Sequence, residues 1–275
     1  MSDEIFDGLA VVMAHPDDEI LWASSVLRRA EAIVLVYRDL PCNPSMGTGR
    51  TEAMAAFPLE TLDWLEMTES GVFDSASWPE PKETEYGLYP HRMLGLLESF
   101  DPDRYRRQFD MLRDALRERL AGKRNVVVHG PWGEYGHEDH VQVFRAVASL
   151  SDEIGFQVWV PGYFAAKSEA LMRRNLKYLG APTGPMPTDR ALAAEMEDAY
   201  KRTGTWTWFD DYVWPEEEWF FPWSRAPVEE SKRVSAAAVQ RIVFPSEPFR
   251  MGGWRGALRD AKGAALAWLN RRGAR

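Results

Sequence analysis

A Rossmann-like α/β fold, a mostly parallel sheet with helices on both faces, is what this sequence predicts, on two observations. Leu9-Ala10-Val11-Val12-Met13-Ala14, Ala32-Ile33-Val34-Leu35-Val36-Tyr37 and Asn125-Val126-Val127-Val128-His129 are apolar runs without alternation, as strands covered on both faces are. Strand, helix and strand also follow one another within the first 37 residues, a βαβ unit whose strands are parallel and whose crossover is right-handed.

The first strand ends at His15-Pro16-Asp17-Asp18-Glu19, and Ile20 to Arg29 reads as helix, with acids placed at its positive end. Arg38 to Gly49, with two prolines and two glycines, is expected to be loop; Arg50 to Phe57 a short helix; Leu62 to Met67 a strand. Gly71 to Pro90 has no period and reads as a long surface loop. Asp101-Pro102 opens a helix with Tyr105, Phe109, Leu112, Leu116 and Leu120 on one stripe. After the strand at 125–129, His137 to Leu150 is helical and Phe156 to Val160 is a strand. Helices are expected at Asp189–Thr203, Val228–Ile242 and Trp254–Arg275. Between the first two lies 206–223, in which nine of eighteen residues are aromatic. No linker is visible, so one domain over 1–275 is expected: a motif-bearing core to residue 160, with helical and aromatic additions on the substrate side from 161.

The chain has 275 residues, 33 Lys and Arg against 42 Asp and Glu, and a formal net charge of −9. An acidic chain is poorly suited to a phosphate backbone, so no nucleic-acid partner is expected. The single cysteine, Cys42, rules out an internal disulfide and a thiolate zinc cluster. The start lacks the basic and apolar segments of a secretory signal, and no apolar run approaches the ~18 residues of a membrane span. A cytoplasmic protein is the expectation.

The chemistry concentrates in two segments that each follow a buried strand: Ala14-His15-Pro16-Asp17-Asp18-Glu19 and Tyr135-Gly136-His137-Glu138-Asp139-His140. Ligands of open α/β sheets bind at the carboxyl ends of strands, so the two are expected to be neighbours. A catalytic zinc takes three nitrogen or oxygen ligands and leaves one position open. His15, Asp18 and His140 supply such a set, and zinc so held brings bound water to a pKa of about 7. Asp17 is placed to take the water's proton, and His137 to protonate a leaving amine. Asp139 is a candidate to hold that imidazole in its tautomer. First-turn helix acids and a solvated histidine pair would explain either segment alone; the two together point to a metal site.

These residues, His15-Pro16-Asp17-Asp18-Glu19 followed by Gly133-Glu134-Tyr135-Gly136-His137-Glu138-Asp139-His140, resemble the PIG-L/LmbE-type zinc de-N-acetylases. Gly47-x-Gly49-Arg50-x-Glu52-Ala53 is similar to a further patch of that family, and the likeness covers residues 8 to about 160. The resemblance implies His15, Asp18 and His140 as zinc ligands, Asp17 as general base and His137 in acid catalysis. It also implies that Tyr135 stabilises the oxyanion. Glu138 departs from the pattern, standing where many members have proline. The implied activity is removal of the acetyl group from an N-acetylated amino sugar, free or linked to a nucleotide, lipid or glycan.

Other signals are weaker. Arg50, after a glycine-rich stretch, is a candidate to hold a substrate phosphate or hydroxyl, and equally a surface arginine. Trp206 and Trp214 are candidates to stack on a sugar ring, with a satellite core or an interface as the favoured alternative. His129 is read as packing behind the site. The terminal helix, with Arg255, Arg259, Lys262, Arg271, Arg272 and Arg275 against Asp260, suits an anionic membrane surface, as a lipid-linked substrate would require; docking on the acidic body is favoured. A dinucleotide oxidoreductase is not expected on this fold without Gly-x-Gly-x-x-Gly after the first strand. A metal-dependent hydrolase of another amide or ester, and a carbohydrate-binding scaffold with a non-catalytic metal site, remain as alternatives.

Overall fold

A computed structural model describes residues 4–41, 43–90 and 102–242. In chain order the elements are β1 (Leu9–Met13), α1 (Asp18–Trp22), α2 (Ser24–Leu27), β2 (Ala32–Asp39), α3 (Pro44–Met54), β3 (Leu62–Thr68), β4 (Glu83–Thr84), β5 (Gly87–Leu88) and α4 (Pro102–Arg119). There follow β6 (Asn125–Val128), α5 (Glu138–Ile154), β7 (Gln157–Pro161), β8 (Tyr163–Phe164), α6 (Glu169–Asn175), β9 (Met186–Pro187), α7 (Arg190–Arg202), β10 (Glu217–Glu218), β11 (Phe220–Trp223) and β12 (Gln240–Arg241).

The central sheet has the order β11-β7-β6-β1-β2-β3, parallel throughout except for β11. Alternate strand residues explain the two helical layers. Ala10 and Val12 of β1 join Val126 and Val128 in one core with Leu112 and Leu116 of α4 and Val141 and Phe144 of α5. Leu9, Val11 and Met13 join the opposite core, with Ile20, Val26, Leu192 and Met196 of α1, α2 and α7. Such a sheet buries both faces, which is why its strands read as unbroken apolar runs. From β1 the chain runs outward to β2 and β3 on one side and later to β6 and β7 on the other. The order therefore reverses between β1 and β6, the place where open α/β sheets hold their ligands.

Several local expectations change. The helix expected over 20–29 is two short ones, broken at Ala23 (φ −148°, ψ 20°). Glu218 imposes the break: its buried carboxylate accepts from Ser24 Oγ and from Ser25 N and Oγ at the start of α2. The stretch expected to be loop over 38–49 is helical from Pro44, which occupies the first turn after Asn43. Gly49 sits inside that helix because a Cβ there would lie 2.5 Å from the Thr203 carbonyl oxygen, so its absence lets α3 close on the chain after α7. Residues 228–242 do not form the expected helix but two 3₁₀ turns and β12, which pairs with β8. Val228, Val234, Val239 and Ile242 are β-branched and favour that outcome. The aromatic stretch ends in β11, which adds an antiparallel edge to the central sheet. Cys42, His91 and the helix expected at 254–275 lie outside the described residues. Among the described residues no helix is long and apolar enough to cross a membrane.

The Glu218 contact has a pH signature. Burial pushes its carboxyl up to about 7 against the opposing serine donors, so the fold favours the protonated form. That contribution is whole below the ordinary glutamate range and is lost as pH rises through about 7. Glu218→Gln is therefore expected to unfold at the same temperature as the parent near pH 5. At about pH 8.5 it should be the more stable by ~1–2 kcal/mol, read from Tm at the two pH values. A variant that loses stability equally at both would show that the ionised carboxylate is the form the fold needs.

Candidate metal centre

The loop after β1 and the segment after β6 meet at the reversal point, and five buried side chains converge there. Asp18 is the hub. Its Oδ1 accepts from Trp22 Nε1 at 3.0 Å and its Oδ2 from the His15 main-chain N–H at 2.8 Å. The same Oδ2 lies 3.1 Å from His15 Nδ1 and 3.2 Å from His140 Nε2.

The proton on each imidazole follows from its other partners. Glu134 Oε2 takes the Nδ1–H of His140 at 2.7 Å and that of His129 at 2.9 Å. His129 Nε2 in turn accepts the Ala14 N–H at 2.8 Å, so this histidine is satisfied on both nitrogens and stays neutral, its pKa lowered by burial and by His140. It stacks on His140 with ring centroids 3.8 Å apart and stands behind the site, as expected of it. His140 Nε2, by contrast, is buried and turned to Asp18 Oδ2, with no well-aligned hydrogen-bond partner. A ring nitrogen bared in this way, with a carboxylate fixing the opposite nitrogen, is the arrangement metal-ligating histidines have.

The electrostatics agree. Burial alone would lower His140 and raise Asp18; instead Asp18 and Glu134 push His140 up to about 10, and His140 with His15 holds Asp18 well below the usual carboxylate range. The space between them favours a positive charge. His15, His137 and His140 have ligand atoms within 4.8 Å of one another, as do Asp18, His129 and His140. The donor set of two imidazoles and a carboxylate suits zinc and other divalent transition metals, so these residues fit the expected group.

Around the hub stand the other expected residues. Asp17 adopts a left-handed backbone (φ 106°), unusual for a residue with a Cβ, and its Oδ2 accepts from Thr207 Oγ1 at 2.7 Å. Burial and the Asp18 charge push its carboxyl up to about 6, with Thr207 opposing. His137 caps α5: its Nδ1 accepts the Asp139 main-chain N–H at 3.2 Å, which leaves the proton on Nε2. The Asp139 carboxylate accepts from Ser70 Oγ at 2.6 Å and lies 3.8 Å from His15 Nε2. Tyr135 packs edge-on to His137 and His140, with centroids 5.8 and 5.3 Å away.

Arg50 is not at the surface. It is buried in α3, and its Nη1 donates to Glu69 Oε1 at 2.8 Å and to the Arg38 carbonyl at 3.0 Å. That Glu69 oxygen is 3.7 Å from His15 Nε2, which ties Arg50 to the site through a carboxylate. Trp206 and Trp214 are half-buried and lie 6.2 Å apart; Trp214 Nε1 donates to the Ile20 carbonyl beside α1.

Three participants were missed in the sequence: Glu134, Glu69 and Thr207. The first stood inside the second motif, and the second directly follows β3, so the strand-end rule that picked His15 reaches both. Thr207 had no signal amid the aromatic residues.

No family model and no curated protein sequence matches the chain. Solved structures do. One is the zinc-inhibited form of teicoplanin deacetylase, at 11% identity and a TM-score of 0.52, covering 79% of this chain and 98% of that one. Another is A40926 pseudoaglycone deacetylase, at 12% identity and a TM-score of 0.50, covering 80% and 98%. At these identities the likeness is one of fold, and that fold is the α/β architecture the sequence predicted.

Proposed function

We propose that the protein is a metal-dependent de-N-acetylase of the PIG-L/LmbE type, hydrolysing the acetamide of an amino sugar to acetate and a free amine. The observation that carries this reading is the approach of His15 Nδ1 and His140 Nε2 to one buried carboxylate oxygen, Asp18 Oδ2, with Glu134 behind His140. Asp17 and His137 flank that cluster. Zinc is the metal we assign, held by His15, Asp18 and His140. Bound there, it supplies Lewis-acid polarisation of the acetamide carbonyl and a water of lowered pKa.

The chain's own groups do the rest. Thr207 engages Oδ2 of Asp17, so Oδ1 is the atom that takes the proton of the attacking water. His137 carries its proton on Nε2 and delivers it to the departing amine nitrogen, a transfer of the kind that contributes ~10²–10⁴-fold. Tyr135 donates to the developing oxyanion, worth about 3 kcal/mol for a single donor. Arg50 holds Glu69 against His15, and Trp206 and Trp214 shape the sugar side. The residues from 161 to 242 belong to the same domain as the motif-bearing core and set the substrate, and the reaction is placed in the cytoplasm.

Protein stripped of metal and then restored with zinc is expected to release acetate from N-acetylamino sugars or their nucleotide- or glycan-linked forms, and stripped protein is not. Zinc bound without acetate release from any of the panel would favour a non-catalytic carbohydrate-binding role or a different amide or ester.

A further inference from the structure

Glu138, the residue that departs from the family's pattern, is fully buried at the first turn of α5 between His137 and the metal-site residues. Three N–H donors converge on its carboxylate. Oε2 accepts from the Asp74 main chain at 2.9 Å, and Oε1 accepts from the Ala76 main chain at 2.9 Å and from Trp78 Nε1 at 3.1 Å. The donors come from residues 74, 76 and 78 of one loop, so a single side chain fastens that segment at three points. Burying a carboxylate is costly unless it is hydrogen-bonded, and here three donors offset that cost.

A second tie reinforces the first. Lys167 places its ammonium 3.2 Å from Asp74 Oδ1, over the rings of Phe73 at 5.1 Å and Trp78 at 5.2 Å. Its stem lies across Gly136 (φ 92°), where a Cβ would approach Lys167 Cδ to 2.9 Å. On the side facing the site, the fastened loop presents the Phe73 ring to the His137 imidazole, centroids 4.6 Å apart at 42°. The loop's first residue, Ser70, donates to Asp139, whose main chain holds His137 Nδ1.

We propose that Glu138 is a positioning residue for His137: it locks the 70–78 loop so that Phe73 braces the imidazole in the orientation from which Nε2 reaches the leaving nitrogen. The inference rests on the proton-donor role given to His137 above. A proline at this position would stiffen the helix start through its fixed φ but could not bind the loop, so this chain replaces a backbone constraint by a side-chain one.

The test uses full-length, zinc-loaded protein with Glu138→Ala, Phe73→Ala and the double variant. Main-chain hydrogen exchange across 71–78 and bound zinc per chain are read without substrate; kcat and KM are read on the best acetylated substrate. For Glu138→Ala the expected results are faster exchange across 71–78, unchanged zinc content, a kcat lower by about 10- to 100-fold and a KM within about twofold. Phe73→Ala should lower kcat similarly, and the double variant should be no worse than the poorer single, because both act through one brace. Losses that multiply, or unchanged kcat despite loosened exchange, would overturn the proposal. So would exchange that does not change. If the parent itself releases no acetate, the de-N-acetylase reading fails on that result, and the exchange data still decide whether Glu138 fastens the loop.

Discussion

Asp18→Asn protein is expected to be folded, to bind close to no zinc and to lose at least ~1,000-fold in acetate release, the several kcal/mol that a bound metal contributes to such a reaction. The substitution is nearly isosteric, yet both oxygens of Asp18 face donors: Trp22 Nε1 on one side, the His15 main-chain N–H on the other. An amide must turn its NH₂ toward one of them. It also removes the negative charge that, with Glu134, pushes His140 upward, so His140 should titrate lower in the variant. Zinc content by elemental analysis, acetate release and circular dichroism together separate loss of the ion from loss of the fold. A variant that keeps stoichiometric zinc would move the ligand role to another member of the cluster, such as His137, whose ring lies 4.8 Å from that of His15 and 4.7 Å from that of His140.

Asp17→Asn is expected to behave differently: zinc retained, fold retained, kcat lowered by about 10²–10⁴-fold. Asparagine is chosen because it tolerates the left-handed backbone that Asp17 occupies (φ 106°), where alanine would add strain to the loss of the carboxylate. Its amide oxygen can still accept from Thr207, so the bond that anchors the 206–209 segment survives. What disappears is a group able to take a proton. The parent should show the matching acid limb. Burial and the Asp18 charge raise Asp17 to about 6, and a base must be deprotonated to act. Activity should therefore fall toward acid pH as that carboxylate is protonated, and the Asn variant's residual activity should lack that limb. Undiminished turnover in the zinc-loaded variant would remove Asp17 from the role of base.

How far the sequence revealed this arrangement depended on whether the signal was local. The buried strands were legible because a strand covered on both faces leaves an unbroken apolar run, and β1, β2 and β6 have one. The stripe of α4 was legible because Tyr105, Phe109, Leu112, Leu116 and Leu120 repeat at helical spacing, and all five are buried. The two motifs were legible because each follows such a strand, and the strand order then brings them together. Contacts that cross the chain were not legible. Nothing near Ser24 announces that Glu218, almost two hundred residues later, will break the first helix. Nothing near Asp17 announces Thr207. The aromatic stretch concealed a strand, β11, because its residues are aromatic on both faces and carry no period to separate strand from loop. Arg50 was ambiguous because a helix-start arginine is usually solvated; its burial depends on a carboxylate from β3's end.

The bond between Thr207 and Asp17 has a consequence for how such a protein can diversify. The 206–214 segment crosses over the centre, with Trp208 4.9 Å from Tyr135 and 5.3 Å from Trp22. The same segment therefore packs beside Tyr135 and grips the group assigned to water activation. Loop exchange, the usual way an α/β scaffold acquires a new substrate, is not independent of reactivity here. A replacement segment has to bring a hydroxyl to the same place or leave Asp17 without that partner. The chain just downstream is then built into the sheet as β11, so both ends of the exchange are constrained. Changes of preference in this lineage should accumulate as single side-chain replacements around a preserved Thr207, rather than as insertions that rewrite the segment whole.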